Sequence, residues 1–425
     1  MIGVGGLDDF QAIETEARRV ALQLMGQAVA KRLNADQGDD QGPHLPCECG
    51  SEARLAGRRP KTFTTALGAM TLERAWYHCD RCGHGFSPRD RTLGMEDASL
   101  SPAALRMLGI AAASTSFART SALLRELAGL AVSPKTVERH AEALGREVAG
   151  DECAIIEPEP CEARTLYLGL DGTGVPVRQC EVEGRRGKQP DGSAKTREAK
   201  LAVVWSADTT DKAGRPVRDP GSATYNAAIE TIATRDTDTE PAPFARRIRR
   251  EAQRRRIDTA PRQVILGDGA PWIWNFADEH FPDAIQIVDI FHAKGHLFES
   301  AKAIYGPGSE VGERWAKARR EELDEGRVDD VIDALRRHAG TCEAARKDVE
   351  YFSNNRERMN YPTFRTMGLC VATGVVEAGC KHIIATRLKR GGMRWSVAGA
   401  NAIIALRCAV ESHRFDDFWE RRASA

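Results

Sequence analysis

The chain has 425 residues, with 61 Lys and Arg against 61 Asp and Glu, and it is 42% hydrophobic and 29% charged. This length accommodates two or three domains, and the composition excludes a mainly disordered chain and a small disulfide-stapled scaffold. No stretch approaches the roughly 18 apolar residues of a membrane span, and the first ten residues lack the pattern of a signal peptide. We therefore expect a cytoplasmic protein without a membrane partner.

Local charge is uneven although the total is zero. Residues 244–262 contain eight arginines against two acids, and no acid lies between Glu377 and Glu411, a stretch that carries six Lys and Arg residues. Basic surface on a neutral protein is compatible with a polyanionic partner. The arginines of 246–256 are nevertheless more typical of a solvated helix face than of a DNA contact.

The N-terminal part predicts a helix followed by a metal-binding module. Residues 8–34 have helical spacing, and a polar linker follows them. Two close cysteine pairs, Cys47 with Cys49 and Cys79 with Cys82, then flank two Thr- and aromatic-rich segments that read as a hairpin turning near Leu67. Two such pairs around a hairpin are the plan of a zinc ribbon, in which four ligands make the Zn²⁺ site structural.

The first cysteine pair is C-x-C, which is tighter than the usual C-x₂-C spacing of zinc sites. A histidine could therefore replace one thiolate, and the alternative is four free thiols. The candidate histidines are His44, His78 and His84.

Residues 101–150 read as short helices, two of them separated by a tight link. Ser133 before Pro134 is a typical helix N-cap with proline at the first helical position. The pattern fits a helix-turn-helix that would direct Lys135, Thr136, Arg139 and His140 to a DNA groove. An ordinary helical hairpin fits equally well. The acidic, proline-containing residues 151–162 read as a linker.

From residue 165, strand-like runs alternate with helical ones, which indicates an α/β fold with a mixed sheet. Two apolar strands are each predicted to end in Asp-Gly, at Asp171 and at Asp268, and a further strand is predicted over 284–297. A carboxylate at the end of a buried strand is costly unless it binds something, so the pair could share a divalent metal ion. Two Asx-type turns are the alternative.

A third acid, Glu377, begins a probable helix whose inner side would carry Cys380 and Ile384. Basic residues, Gly391-Gly392 and Trp395 follow it in sequence. Three carboxylates are the constellation for two-metal phosphoryl transfer, in which one metal activates the attacking oxygen and the other stabilises the leaving oxygen. The basic residues would hold a phosphodiester backbone.

The most specific segments are YLGLDGTGVPV, REAKLAVVW, ILGDGAPWIW, IVDIFHAKGHL and GVVEAGCKHIIATRLKRGGMRWS. Together they resemble bacterial insertion-sequence transposases of the DDE type, and the resemblance covers most of the chain. It implies an RNase H-like mixed sheet with a helical insertion, preceded by a zinc ribbon and a helix-turn-helix. It also implies that Asp171, Asp268 and Glu377 are the catalytic acids, holding Mg²⁺ or Mn²⁺.

The same resemblance assigns a supporting pair and the partners, whereas the DNA-binding residues follow from the helix-turn-helix pattern and from the basic segment after Glu377. Asp289 and His292 are similar to the Asp- or Cys-x₂-His motif of related transposases and would support the site, although a strand-end cap and a satisfied histidine are the alternative. The DNA-binding residues would be Lys135, Arg139, Lys381, Arg387, Lys389, Arg390, Arg394 and Trp395. The partners would be double-stranded DNA, as terminal inverted repeats and target, and a second copy in a homodimer or larger assembly located at the nucleoid.

The expected domain order follows from these assignments. It is an N-terminal helix and linker (1–42), zinc ribbon (43–92), helix-turn-helix with linker (93–160), first catalytic part (161–293), helical insertion (294–370) and second catalytic part (371–425). A metal-dependent nuclease or resolvase without strand transfer, and a catalytically silent DNA-binding regulator, are the alternatives to a transposase.

Overall fold

The computed structural model describes residues 9–96, 98–154, 158–160, 162–187, 189–233, 240–372 and 374–424. The chain divides into two compact units, one of Met1–Leu144 with Asp416–Ala425 and one of Gly145–Phe415. Within the described ranges, no helix combines the length and the apolar character that crossing a membrane requires.

The first unit combines an antiparallel sheet with helices. Its elements are α1 (Phe10–Ala35), β1 (His44–Pro46), β2 (Glu52–Thr65), β3 (Gly68–His78), β4 (Gly85–Phe86), α2 (Pro88–Thr92), α3 (Pro102–Ser114), α4 (Phe117–Ala128) and the start of α5 (Pro134–Ala154). The sheet order is β1-β2-β3-β4, and every neighbouring pair is antiparallel. The long β2–β3 hairpin confirms the hairpin predicted between the two cysteine pairs.

The predicted N-terminal helix is confirmed, but its apolar positions are mostly not buried. Phe10 is 69% exposed and Leu24 is 59% exposed, whereas Gly26 is buried. The later turns of α1 contribute Val29 and Leu33 to a small core formed with the hairpin. Helical spacing therefore predicted the helix correctly, and only its C-terminal half packs on the sheet.

Two helices joined by a short link lie where the helix-turn-helix pattern predicted them. The helix α4 ends at Gly129 in a left-handed conformation, which suits a residue without a Cβ atom. The Ser133 hydroxyl accepts a hydrogen bond from the Thr136 amide at 3.1 Å, as an N-cap does. The helix α5 extends through residues 151–154, so the linker prediction was wrong there. Pro134 begins the helix, and the next proline in the sequence, which would break it, is Pro158.

The second unit contains a five-stranded sheet and most of the helices. Its elements are β5 (Thr165–Pro176), β6 (Thr196–Ser206), β7 (Thr209–Thr210), β8 (Pro216–Val217), β9 (Thr224–Ala228), α6 (Pro243–Arg254), β10 (Arg262–Gly267), α7 (Pro271–His280), β11 (Ile285–Val288), α8 (Ile290–Tyr305), α9 (Glu310–Asp324), α10 (Val328–Arg336), α11 (Glu343–Asn354), α12 (Tyr361–Thr366), α13 (Gly374–Gly379), a π-helix (Cys380–Ala385), α14 (Thr386–Leu388) and α15 (Val397–Glu411). The last helix, α16 (Phe415–Ser424), belongs to the first unit except for Phe415.

The order of the large sheet is β11-β10-β5-β6-β9. The strands β11, β10 and β5 are parallel, whereas β6 is antiparallel to both β5 and β9. Its central strands are continuous apolar runs, because helices cover the sheet and bury side chains on both faces. The prediction of an α/β fold with a mixed sheet is confirmed.

Two predicted strand ends were wrong. The strand β5 does not end at Asp171 but continues to Pro176, because β6 pairs with it along its whole length. The strand β11 ends at Val288, and the following segment, predicted as strand, is the helix α8. The Asp289 carboxylate caps this helix and interrupts the apolar strand pattern there.

The helical character predicted for 294–370 is confirmed by α8 to α12. The arginines of 246–256 form the expected solvated helix face only in part, since Arg249 and Arg256 are exposed whereas others are buried or paired. Arg254 and Arg255 are buried, and Arg247 forms a two-pronged ion pair with Glu230 at 2.8 Å. This segment therefore contributes to the core through paired charges.

Candidate active site

Three aspartates occupy neighbouring positions in the large sheet, at the level where β10 and β11 end and β5 continues. Gly267 of β10 is in register with Leu170 of β5 and with Val288 of β11. The next residue in each chain segment is an aspartate: Asp171, Asp268 and Asp289. Because neighbouring strands are about 4.8 Å apart, this register places three carboxyl groups side by side.

These aspartates line a cleft of about 740 Å³ together with Glu377. Glu377 lies on α13, which packs directly on β5. A Cβ atom at Gly169 would lie 2.1 Å from the Val376 side chain, so the helix can come this close only because residue 169 is glycine. The structure thus brings the three predicted catalytic acids to one cleft, whereas their catalytic role stays a prediction.

The carboxyl group of Asp171 is held in an environment that disfavours its charge. Burial raises the pKa of Asp171, and the negative charge of Asp268 raises it further, whereas the Cys380 thiol donates a hydrogen bond that lowers it. A cation between the two carboxylates would remove this repulsion. The donor set therefore fits a hard divalent ion such as Mg²⁺, which prefers carboxylate oxygens.

The carboxylate oxygens of the cleft lie farther apart than the sulfur atoms of the four cysteines. In the ranges that the structure describes, only the cysteine group has three or more candidate ligand atoms that all lie within 4.8 Å of one another. Glu377 is exposed, and the Asp268 carboxylate accepts a hydrogen bond from the Ala270 amide at 2.9 Å. Metal binding in this cleft would therefore require the side chains to close on the ion.

The helix that carries Glu377 continues into a π-helix, a form that occurs frequently at functional sites. Buried Arg407 donates to the main-chain oxygens of His382 and Ile383 in this segment, the latter at 2.8 Å. Cys380 and Ile384 face inward as the sequence predicted. Arg407 thus fixes the backbone that follows the third acid.

Asp289 and His292 were predicted either to support the acid site or to have structural roles, and observations are consistent with each interpretation. The Asp289 carboxylate is buried and accepts a hydrogen bond from the His292 amide at 2.7 Å, so Asp289 is the N-cap of α8. Both residues nevertheless line the cleft, and the His292 side chain lowers the pKa of Asp171. Their supporting role stays a prediction.

Sequence reasoning missed three residues of the insertion that line the cleft and a fourth that stacks on one of them. The three are His296 and Ser300 on α8 and Asp348 on α11, and the fourth is Tyr351 on α11. The available signal was the spacing of His292 and His296, which puts both rings on one face of a helix. Nothing in the sequence indicated that α11 would face this helix.

Most of the predicted DNA-binding residues are exposed. In the second unit, Lys381, Lys389, Arg390 and Arg394 are exposed, and Lys389 donates to the Thr173 hydroxyl, two residues beyond Asp171. In the first unit, Lys135 and Arg139 are exposed on α5, and Lys135 pairs with Glu138 at 2.9 Å.

Two of the residues predicted to contact DNA, Arg387 and Trp395, are buried. Arg387 is fully buried, and its guanidinium lies 5.1 Å from the centre of the Trp395 ring. Trp395 is 7% exposed, and its indole donates to the Leu388 carbonyl at 3.1 Å. These two residues pack the helix that follows the third acid, because an aromatic ring and a guanidinium bury each other well.

The four predicted zinc ligands form a compact group in the first unit. The sulfur atoms of Cys47 and Cys82 are 3.6 Å apart, as are those of Cys49 and Cys79, and all four lie within 4.8 Å of one another. A tetrahedral zinc with Zn–S bonds of about 2.3 Å separates its sulfurs by about 3.8 Å. The predicted cluster is confirmed, and it could bind zinc.

The cluster is supported by its two loops. The Cys47 and Cys79 main-chain oxygens accept hydrogen bonds from Gly50 and Gly83 at 2.9 Å, which shapes two tight turns around the sulfurs. A backbone hydrogen bond from Ser51 is the main cause that lowers the pKa of Cys49 to about 6, whereas burial and the neighbouring thiols raise the pKa of Cys82 to about 12. A thiolate at neutral pH is the form that binds zinc.

Replacing Cys79 by Ser is expected to remove bound zinc and lower the melting temperature of the first unit, because a structural zinc contributes folding free energy directly. Zinc content by atomic absorption and thermal unfolding with and without a chelator measure both effects. The matched control is Cys342→Ser, at a half-buried thiol outside the cluster. Unchanged zinc content in the Cys79 variant would contradict the site.

No protein-family model and no curated protein matches the chain. Among solved structures, the chain is similar to the Drosophila P element transposase strand transfer complex, with 10% sequence identity and a TM-score of 0.27. The match covers 78% of this chain and 83% of that chain. A similarity of this size supports no conclusion about fold or activity, so the function has to be inferred from the site itself.

Proposed function

We propose that the chain is a divalent-metal-dependent phosphoryl-transfer enzyme that acts on DNA. The observation that carries this proposal is the single cleft lined by Asp171, Asp268 and Glu377. Two of these acids are adjacent in sheet register, and the third lies on a helix that packs against the same strand. Exposed Lys389 beside β5 supplies positive charge where a phosphate would lie.

More specifically, the enzyme is a DDE-type insertion-sequence transposase with an RNase H-like catalytic domain. The sequence segments that resemble this family include all three acids. The mixed five-stranded sheet and the helical segment between the second and third acids are what that resemblance implies. On this proposal the protein assembles as a homodimer or larger oligomer on its DNA.

In the mechanism, Asp171, Asp268 and Glu377 would hold two divalent metal ions. When bound, one ion would activate the attacking oxygen and the other would stabilise the leaving oxygen of a phosphodiester. Lys389, Arg390 and the neighbouring exposed basic residues would orient the DNA backbone. A water molecule would first attack the phosphorus at the element end and break its bond to the 3′-oxygen, which leaves as a 3′-hydroxyl. This 3′-hydroxyl would then attack a phosphorus of target DNA, forming a new phosphodiester and displacing the target 3′-oxygen.

The first unit would recognise the element ends through α5. Replacing Lys135 and Arg139 by Ala together is expected to weaken DNA binding and to reduce the slope of log affinity against log salt by about 2, because each removed phosphate contact accounts for roughly one. Titrations at several salt concentrations measure this. The control is Arg19→Ala, which removes an exposed, ion-paired arginine from α1. An unchanged slope in the double variant would exclude α5 from the DNA interface.

A strand-cleavage and joining assay tests the proposed function. It uses DNA that flanks the gene, a labelled target and Mg²⁺ or Mn²⁺. Metal-dependent joined products support a transposase. Cleavage without joining would indicate a nuclease or resolvase, and specific binding with neither reaction would indicate a transposase-derived regulator.

A further inference from the structure

A chain of contacts connects the helical insertion to the backbone of the second acid. The Asp348 carboxylate on α11 accepts hydrogen bonds from His296 Nδ1 at 2.8 Å and from the Ser300 hydroxyl at 2.7 Å. The His296 ring stacks on the Tyr351 ring with centroids 4.0 Å apart and planes 14° apart. The Tyr351 hydroxyl donates to the main-chain oxygen of Asp268 at 2.9 Å.

The turn after Asp268 is shaped around the Tyr351 ring. Gly269 has φ of +96°, and a Cβ atom there would lie 2.4 Å from the ring. Buried Asn355, one turn further along the same chain segment, places its side-chain amide 3.5 Å from the Gly269 oxygen.

We infer that Tyr351 is a positioning residue for Asp268, and that Asp348 and His296 fix the Tyr351 ring in the required orientation. The inference rests on the proposed function, because it assigns these residues to the metal-binding acid site. Asp268 follows the last residue of β10, so strand pairing does not fix its main-chain conformation. A hydrogen bond to its own carbonyl fixes the peptide from which its carboxylate projects, as outer contacts do for metal ligands.

On this assignment the helical insertion positions the loop that carries Asp268. The helices α8 and α11 contribute no carboxylate that matches the catalytic acids, yet α11 holds the loop of the second acid from outside the sheet. Removing the Tyr351 hydroxyl should therefore affect metal binding while leaving the stacked rings in place. A purely structural role would change only stability.

The test compares Tyr351→Phe with the wild type by Mn²⁺ titration, using the free Mn²⁺ signal in electron paramagnetic resonance. The expected result is an Mn²⁺ affinity about tenfold weaker, the lower end of the range for outer contacts of metal ligands. DNA affinity and melting temperature should stay close to those of the wild type. The half-saturating Mn²⁺ concentration for cleavage should rise by the same factor.

The matched control is Tyr305→Phe, which removes a hydroxyl that contacts His338 at 3.3 Å elsewhere in the insertion. It should bind Mn²⁺ like the wild type. Asp348→Asn provides a second variant that keeps side-chain volume, and it should weaken Mn²⁺ binding in the same direction, so the inference can be tested even if Tyr351→Phe does not fold.

Asp268→Asn separates this inference from the proposed function. Loss of Mn²⁺ binding in Asp268→Asn together with wild-type binding in both Tyr351→Phe and Asp348→Asn would overturn the positioning role alone. Wild-type Mn²⁺ binding in Asp268→Asn would overturn the acid site itself, and the positioning role with it.

Discussion

Asp171→Asn, Asp268→Asn and Glu377→Gln are each expected to slow DNA cleavage by at least about a thousandfold. A bound divalent ion supplies several kcal/mol of transition-state stabilisation, and losing about 4 kcal/mol corresponds to about a thousandfold in rate. DNA binding should change little, because the basic residues and α5 are untouched. Single-turnover cleavage of end DNA and a parallel binding titration measure the two quantities.

The stability of these variants provides a second readout. Because burial and Asp268 both raise the pKa of Asp171, its charge is unfavourable in the metal-free protein. Asp171→Asn should therefore melt at the same temperature as the wild type or higher. The control is Asp283→Asn, at an exposed carboxylate just before β11. Normal cleavage by one of the three acid variants would remove that residue from the site.

Glu251→Gln is expected to lower the free energy of unfolding by roughly 3–5 kcal/mol, the cost of breaking a buried ion pair by removing one partner. Glu251 on α6 is fully buried. Its carboxylate accepts hydrogen bonds from Arg414 at 2.8 and 2.9 Å, from Arg254 at 3.1 Å and from the Thr224 hydroxyl at 2.5 Å. Glutamine leaves the two guanidinium groups without this counter-charge.

The same residue predicts a pH dependence. Burial opposes its ionisation, but the Arg414 charge and the other partners dominate and lower the pKa of Glu251 from 4.5 to about 2. The stabilisation, about 3 kcal/mol, is therefore complete above pH 4.5 and is lost as the pH falls from about 4.5 towards 2. The variant should lack this part of the acid transition.

Urea denaturation at pH 7 and at pH 3 measures both effects. The control is Glu343→Gln, which breaks an exposed pair with Lys347 and should leave the free energy of unfolding close to that of the wild type, because solvent screens such a pair. If the Glu251 variant were as stable as this control at pH 7, the buried ion pairs of Glu251 would not stabilise the protein as proposed.

The sequence predicted the parts of the fold that depend on local pattern. The apolar runs of β5, β6 and β10 identified the strands, and the cysteine pairs around a hairpin identified the four-cysteine cluster. The position of Asp171 beside Asp268 follows from the sheet register. The sequence alone does not determine which strands are neighbours or how they are aligned. An aspartate within a strand and one after a strand become neighbours because Leu170 and Gly267 pair in parallel.

Contacts between distant segments could not be predicted. The accessibility of Arg387 and Trp395 depends on how the π-helix packs, and a basic, Trp-containing segment gives no sign of it. The Tyr351 hydroxyl reaches Asp268 across 83 residues of sequence through two helices of the insertion. Periodicity identified those helices, but it carries no information about which helix faces they present to each other.

The most direct test of the acid site is diffraction from crystals soaked in Mn²⁺, collected at the manganese absorption edge, for the wild type and Asp268→Asn. We expect an anomalous peak in the wild type within coordinating distance of the Asp171 and Asp268 carboxylates, and its loss in the variant. Anomalous peaks confined to other parts of the molecule would contradict the proposal that these acids form the metal centre of a phosphoryl-transfer enzyme.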